Sequence, residues 1–360
     1  MTLPLEVVIL AAGQGTRMRS KVPKVLHPLL GRSLLGYAVK SAQALGAGNI
    51  VVVTGHGAEQ VEASLEGQGM TCVRQEQRLG TGHAFLQAAP ALKGGPILLL
   101  YGDTPLIQLK TLKSMLEHHE NTGAGLTILT GELEDASGYG RIVRDSEGGV
   151  LEIVEEKSAS FEQKKIREFN SGVYLMDARA PQLAGHIQNT NAAGEYYLTD
   201  ILEVYRARSE RVVAFKADSS ELEGCNDRRQ LAAADRTLRL RTCEALMTSG
   251  VTLRDPATTF VDDTVQIEPD VILEPGVILR GATVIGRGSV VGAYSIITDC
   301  QLAQNVVIKP HSVLEGAVID REAQVGPFAR IRVGSRLGAN VHVGNFVEIK
   351  NSTLHEGAKA

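Results

Sequence analysis

Two rhythms of apolar residues divide the chain. From Glu6 to about Phe215, short β-branched runs alternate with stretches of helical period, the pattern of a parallel sheet wrapped by helices. Residues 7–12, 50–54 and 97–101 read as buried strands. Residues 33–45 and 58–65 read as helices, the first closed by Gly46 in the C-terminal cap position. A doubly wound α/β domain is the consequence. Near Asn226 the texture changes to strong helix formers, which continue to Thr248 and stop at Ser249-Gly250, so 227–250 reads as a connecting helix.

Beyond Gly250 the apolar positions recur every six residues. Val265, Val271 and Val277, then Val307, Val313, Ile319, Val325, Ile331, Leu337, Val343 and Ile349 share one phase, while Val284, Val290, Ile296 and Leu302 are displaced by one. A period this short, punctuated by Gly286, Gly292, Gly326, Gly338 and Gly344, marks a parallel β-helix in which each hexapeptide forms one side of a triangular coil and turns its aliphatic residue inward. A β-sandwich would alternate with period two instead. The chain is thus expected to divide into 1–226, the 227–250 helix and 251–360.

Composition agrees with a soluble globular protein: 43% apolar and 22% charged residues argue against disorder, and 4% aromatics with no Trp suit a narrow prism filled by Val, Ile and Leu. A net charge of −4 offers no broad basic field, which disfavours nucleic acid or an anionic membrane as partner. The apolar run 7–12 is too short to span a bilayer and lacks the basic residues that precede a signal-peptide core, so a cytoplasmic location is expected. Cys72, Cys225, Cys243 and Cys300 form no CxxC pair and read as free buried thiols. The nine histidines show no ligand spacing; His118 and His119, adjacent on the helix expected over 108–120, read as surface residues.

The candidate chemistry begins right after the first strand, with Leu10-Ala11-Ala12-Gly13-Gln14-Gly15-Thr16-Arg17-Met18 and, downstream, Pro23-Lys24. The glycines let main-chain N–H groups approach a phosphate or a base, and Arg17 and Lys24 supply positive charge for a triphosphate. Met18 occupies the third glycine position of the dinucleotide fingerprint and no GxxxxGK[ST] occurs, so neither a hydride-transfer cofactor nor a P-loop is supported. Asp103, just past the apolar run 97–101, lies where parallel α/β sheets place ligands.

The string L-A-A-G-x-G-T-R-M with P-K downstream resembles the signature of sugar-nucleotide pyrophosphorylases. Further motifs follow in order: Gln75 with Leu79-Gly80-Thr81-Gly82-His83, Tyr101-Gly102-Asp103, Gly138-Tyr139-Gly140-Arg141, Glu155, Asn170-Ser171-Gly172, Gly194-Glu195-Tyr196-Tyr197-Leu198-Thr199-Asp200 and Glu223-Gly224-Cys225-Asn226. Together they resemble, over essentially the whole chain, the bacterial bifunctional N-acetylglucosamine-1-phosphate uridylyltransferase and glucosamine-1-phosphate acetyltransferase. The resemblance implies a Rossmann-like nucleotidyltransferase domain followed by a left-handed β-helix, a homotrimer, and Mg²⁺-assisted transfer from UTP to N-acetylglucosamine 1-phosphate. It implies that Leu10, Ala11, Ala12, Gly13, Gln75, Gly80 and Thr81 hold the uridine. Tyr101, Gly102, Gly140, Glu155, Asn170, Tyr197 and Thr199 would face the sugar phosphate, and Asp103 and Asn226 would hold Mg²⁺. Arg17, Lys24 and Asp103 are then the catalytic candidates.

The same resemblance gives the β-helix an acetyl-CoA-dependent activity, with Arg332 and Lys350 at sugar-phosphate positions. The family's catalytic histidine and tyrosine follow a Gly-x-Lys segment in the next coil, whereas this chain ends at Gly357-Ala358-Lys359-Ala360. His355 precedes that segment. No acetyl transfer is expected from these 360 residues, and acetyl-CoA is expected as a partner only of a full-length form. The competing readings are the same chemistry on another sugar 1-phosphate, or a hexapeptide-repeat scaffold with a nucleotide-binding domain.

Overall fold

The structure, a computed structural model, describes residues 3–191 and 194–360. It divides into two compact units, one reaching to His27 and continuing with Ser33–Leu231, the other made of Pro28–Arg32 and Ala232–Ala360.

Among the described residues, nine strands form the sheet of the first unit. They are β1 (Glu6–Leu10), β2 (Asn49–Thr54), β3 (Thr71–Arg74), β4 (Ile97–Tyr101), β5 (Leu126–Glu132), β6 (Arg141–Arg144), β7 (Val150–Val154), β8 (Glu168–Met176) and β9 (Val212–Lys216). The main path runs β9-β5-β8-β4-β1-β2-β3, with β6 and β7 as a hairpin pairing onto β8 through β6. Helices α1 (Leu34–Ala44), α2 (Ala58–Leu65), α3 (Thr81–Ala88), α4 (Leu109–Thr122), α5 (Ala180–Ala184) and α6 (Ile201–Ala207) lie between them in sequence.

All five residues of β1 are buried, as expected of a central strand covered on both faces. It pairs in parallel with β2 and β4, and ends at Leu10 rather than Ala12 because Ala12 O accepts from His56 N (3.2 Å) as the chain turns away. Ser33 caps α1 by accepting from Gly36 N at 3.0 Å, and Gly46 follows with φ +73°. The sheet is mixed, which corrects the fully parallel one suggested by the alternation: β8 runs antiparallel to both β4 and β5. The reason is local, since the hairpin β6–β7 stands between β5 and β8 where a crossover helix would be needed for parallel entry.

The second unit contains α7 (Arg228–Thr248) for most of its length and then three six-stranded parallel sheets, one per side of a prism. This is the left-handed β-helix of hexapeptide repeats. Leu273 pairs with Val291 and Val291 with Ile308, so that successive coils stack in register. Each inward Ile, Leu or Val is almost fully buried, worth roughly 1.5–3 kcal/mol apiece.

The inward phase differs from the sequence reading. Ile285, Val291 and Ile297, then Ile308 and Leu314, point inward, while Val284, Val290, Ile296, Val307 and Val313 are half-buried on the outer side. Two sides are one residue short, between Ile297 and Leu302 and between Leu314 and Ile319, and from Ile319 to Ile349 the predicted positions are the buried ones. Paired valines and isoleucines on both faces of one strand hid this shift. At one corner Tyr294, His311, Phe328 and Phe346 adopt φ of 56–59° and stack with ring centroids 5.0–5.3 Å apart. Stacking, about 0.5–1.5 kcal/mol per pair, offsets the cost of left-handed backbone.

Cys225, Cys243 and Cys300 are buried free thiols, whereas Cys72 is only half-buried. His118 and His119, expected at the surface, are both half-buried, with His119 Nδ1 2.8 Å from Thr127 Oγ1, and His27 is buried. Among the described residues no helix is long and apolar enough to cross a membrane.

Candidate active site

Leu10 and Tyr101 are register partners at the carboxyl ends of β1 and β4, and the chain leaves both strands on the same side. Leu10, Ala11, Ala12, Gly13, Lys24, Gln75, Gly80, Thr81, Tyr101 and Asp103 line one recess there. Tyr101, Gly140, Glu155, Asn170, Tyr197 and Thr199 line a second. Thr81, Tyr101 and Glu195 belong to both. The fold therefore joins two adjoining subsites from segments scattered over the first 200 residues.

Glycine geometry brings the first loop into place. Gly15 has φ +61°, and a Cβ there would lie 2.5 Å from Lys24 Cβ, so only glycine lets the loop fold over the lysine. Gly102 N donates to Leu10 O at 3.0 Å, tying the two strand ends together.

Lys24 Nζ forms an ion pair with Asp103 Oδ2 and lies 3.2 Å from Asn226 Oδ1. The carboxylate and the amide oxygen thus face one point, held in this structure by an ammonium group. Two hard oxygens without a thiol or imidazole suit a hard divalent cation whose remaining ligands are phosphate and water. Among the described residues no cluster of three or more His, Cys, Asp or Glu could hold a metal, so such an ion would depend on its substrate. Asn226 reaches this point because Cys225 N donates to Asp103 O (2.8 Å) and Gln230 Oε1 accepts from Asn226 N (2.8 Å).

Glu221 contributes a support that sequence reasoning missed. Its buried carboxylate accepts from Gln108 N (3.0 Å) and Thr111 Oγ1 (2.6 Å) at the start of α4, anchoring the segment that carries Asn226. Nothing local marks this role, because donor and acceptor lie 110 residues or more apart.

Gln75 is buried, and its Nε2 donates to Gly80 O (3.0 Å) and sits 3.1 Å from His83 Nδ1. His83 is a second residue the sequence reading quoted without a role. Gly80 precedes α3 with φ +110°, Thr81 Oγ1 accepts from Leu198 N (3.0 Å), and Gly82 N donates to Tyr196 O (2.8 Å). These bonds fasten the 194–200 segment to the Gly80–Gly82 edge of the first recess.

In the second recess, Asn170 Nδ2 donates to the Tyr174 hydroxyl (2.7 Å) and its Oδ1 accepts from Gly172 N (3.0 Å). Thr199 Oγ1 lies 3.3 Å from Glu155 Oε1, and burial pushes the Glu155 carboxyl above its ordinary range. Of the predicted residues, Gly102 is buried and, like Asn226, does not line either recess, and Arg17 is exposed on the turn Thr16–Met18 and outside both. In the β-helix, the register Ile331↔Ile349 sets Arg332 and Lys350 on adjacent coils at one corner, with Arg332 Nη1 3.0 Å from Glu348 Oε1.

Burial, then the neighbouring Glu203 and Glu155 carboxylates, push Asp200 from an ordinary 3.8 to about 6. A carboxyl whose pKa rises on folding favours the folded state below its unfolded value, and that advantage is lost as pH climbs through about 6. Asp200 makes no side-chain cap hydrogen bond to α6 that a substitution would sacrifice. Asp200→Asn is therefore expected to raise the melting temperature at pH 8 by roughly 2 °C, a value kept small by partial solvent exposure. At pH 4 the gain disappears. Melting curves at the two pH values test this, and a variant less stable than wild type at pH 8 contradicts it.

Known proteins resemble this chain over nearly its whole length. Residues 7–147 match the MobA-like NTP transferase domain family, and 257–358 match the GMPPB C-terminal domain family. The chain is 48% identical to the bifunctional protein GlmU of Stutzerimonas stutzeri (strain A1501), over 99% of this chain and 79% of that one. It is 50% identical to GlmU of Pseudomonas syringae pv. syringae (strain B728a), covering 99% and 78%. Among solved structures, a UDP-glucose pyrophosphorylase complexed with UDP-glucose superposes with a TM-score of 0.55 at 21% identity, covering 66% of this chain and 100% of that one. That likeness is one of fold. By these identities and coverages, the chain belongs to the GlmU family of bifunctional proteins.

Proposed function

We propose that the two adjoining recesses of the first unit hold UTP and N-acetylglucosamine 1-phosphate and join them into UDP-N-acetylglucosamine, releasing pyrophosphate. As a member of its family the chain is a nucleotidyltransferase, a UDP-N-acetylglucosamine pyrophosphorylase. The observation that carries the site assignment is the convergence of Lys24, Asp103 and Asn226 beside the recess lined by Gln75 and Gly80.

Uracil presents a carbonyl–imide–carbonyl edge, which Gln75 Oε1 and the loop amides from Leu10 to Gly13 can read. The ribose and phosphates then extend toward Lys24. On the other side Gly140, Glu155, Asn170 and Thr199, with Tyr197, offer donors and acceptors for the sugar hydroxyls and acetamido group.

A sugar phosphate is mostly dianionic at neutral pH, its second pKa being about 6, so its oxygen needs no general base to attack the α-phosphorus of UTP. The residues have two tasks, to align two anions in line and to stabilise the extra charge of the five-coordinate transition state. Lys24 supplies that charge from this chain. Asp103 and Asn226 are the residues to hold Mg²⁺, which when bound neutralises phosphate charge. We place Arg17 at the triphosphate only on the strength of its loop, since it stands outside the recess.

For the second unit, Arg332 and Lys350 are proposed as contacts for a second sugar phosphate, and assembly as a homotrimer in the cytoplasm completes the reading. Pyrophosphate release with Mg²⁺ and UTP tests the first site. N-acetylglucosamine 1-phosphate is expected to be used well ahead of glucosamine 1-phosphate and glucose 1-phosphate. Equal use of all three sugars overturns the sugar assignment, and no release with any of them overturns the reaction.

A further inference from the structure

Arg141 is the largest fully buried side chain of the protein, and the reading above gives it no task. It ends the Gly138-Tyr139-Gly140-Arg141 motif and stands at a three-strand node, opposite Val154 on β7 and Phe169 on β8. The next residues beyond that node are Gly140, Glu155 and Asn170, three of the proposed sugar contacts. Asn170 N donates to Gly140 O at 2.9 Å, closing two of them together.

The guanidinium joins the remaining parts. One Nη donates to Tyr139 O, and the other lies 2.8 Å from Glu156 Oε2. Gly138 N also donates to Glu156 Oε2, at 3.2 Å. These two contacts hold the Glu156 carboxyl below its ordinary range. Gly138, Tyr139 and Gly140 line the second recess, and so do Glu155 and Glu156 just past the neighbouring strand. A single buried cation therefore ties these two segments of the lining to each other.

Stability alone does not account for this arrangement. Arg141 Nε is buried with no hydrogen-bond partner, and an apolar side chain of similar volume usually stabilises a fold as well as a buried ion pair does. A planar guanidinium that grips two separate acceptors, however, fixes distance and angle in a way that packing does not.

Resting on the sugar assignment above, we infer that Arg141 is a positioning residue for the sugar subsite, setting the gap between the Gly138–Gly140 loop and Glu155 through Tyr139 O and Glu156. It touches no substrate itself.

The test is steady-state kinetics on the full chain with UTP and N-acetylglucosamine 1-phosphate varied in turn, together with melting temperatures. Arg141→Met keeps the volume and leaves Glu156, 32% exposed, able to hydrate. Its KM for the sugar phosphate is expected to rise about tenfold or more with the KM for UTP within about twofold of wild type. Arg141→Lys, which can reach only one of the two acceptors, restores part of the loss, and Glu156→Gln falls between. A folded Arg141→Met enzyme with an unchanged sugar KM overturns the role, as does a parallel rise in both KM values, which is what general loosening produces. If Arg141→Met does not fold, Arg141→Lys and Glu156→Gln are read by the same criterion. Wild type assayed alongside separates the two levels of inference: no turnover with N-acetylglucosamine 1-phosphate overturns the substrate assignment and this role with it, whereas normal wild-type kinetics with unaffected variants overturn the role alone.

Discussion

Lys24→Ala is expected to lower kcat for UDP-N-acetylglucosamine formation by about 10²–10³ while the protein stays folded, because one positive charge aimed at the transferring phosphoryl group is worth a few kcal/mol. The structure shows why the fold should survive. The lysine side chain is 12% exposed at the lip of a recess, and its partner Asp103 is 15% exposed, so water can enter where the ammonium leaves. The KM for UTP should change less than kcat, since Gln75 and Gly80 keep their bonds to each other. Steady-state kinetics with a melting curve decide the matter. Turnover within about threefold of wild type in a folded variant takes Lys24 out of the chemistry.

Gly80→Ala is expected to damage both the fold and the site. Gly80 has φ +110° and ψ 177°, a region open essentially to glycine alone. A Cβ there would lie 2.5 Å from Tyr196 O and 2.8 Å from Tyr196 N, both backbone atoms that cannot rotate away. Something must move, and what moves is the pairing of Tyr196 N with Leu79 O (2.7 Å) and of Gly82 N with Tyr196 O (2.8 Å). Those bonds join the first recess to the segment carrying Tyr197 and Thr199. We expect a loss of about 1–3 kcal/mol in stability and a fall of about 10² in kcat/KM. Gly46→Ala is the control, with φ +73° but open space around its Cβ; it should cost about 1–2 kcal/mol and leave kcat/KM unchanged. A Gly80→Ala enzyme that melts and turns over like the Gly46→Ala control contradicts the steric argument.

Local signals in the chain were enough for several features. The apolar run 97–101 is β4 with the predicted bounds, and 58–65 is α2, because a fully buried strand and an amphipathic helix each write their period into a few adjacent residues. The hexapeptide rhythm announced the β-helix. It misplaced the inward residue at Val284, Val290, Ile296, Val307 and Val313 but not at Leu302, because adjacent β-branched residues such as Val290 and Val291 satisfy both faces of a strand and conceal a one-residue slip.

The antiparallel β8 was also out of reach. Its direction depends on whether a helix or a hairpin fills the preceding connection, and 133–167 contains no strong period of either kind. Arg17 belongs to the glycine loop by sequence, yet the turn Thr16–Met18 leaves its side chain exposed to solvent.

By itself the sequence determined the two architectures and the glycine loop after β1, since each rests on short-range patterning and on backbone conformations that only glycine tolerates. Tertiary structure alone decided the site. Lys24 meets Asp103 across 79 residues and Asn226 across 202, Glu221 braces the start of α4, and Arg141 clamps Glu156 to the 138–140 loop. Such meetings follow from strand order and sheet direction, long-range contacts that no local spacing encodes, and they are what turn separate polar residues into one recess of defined charge and width.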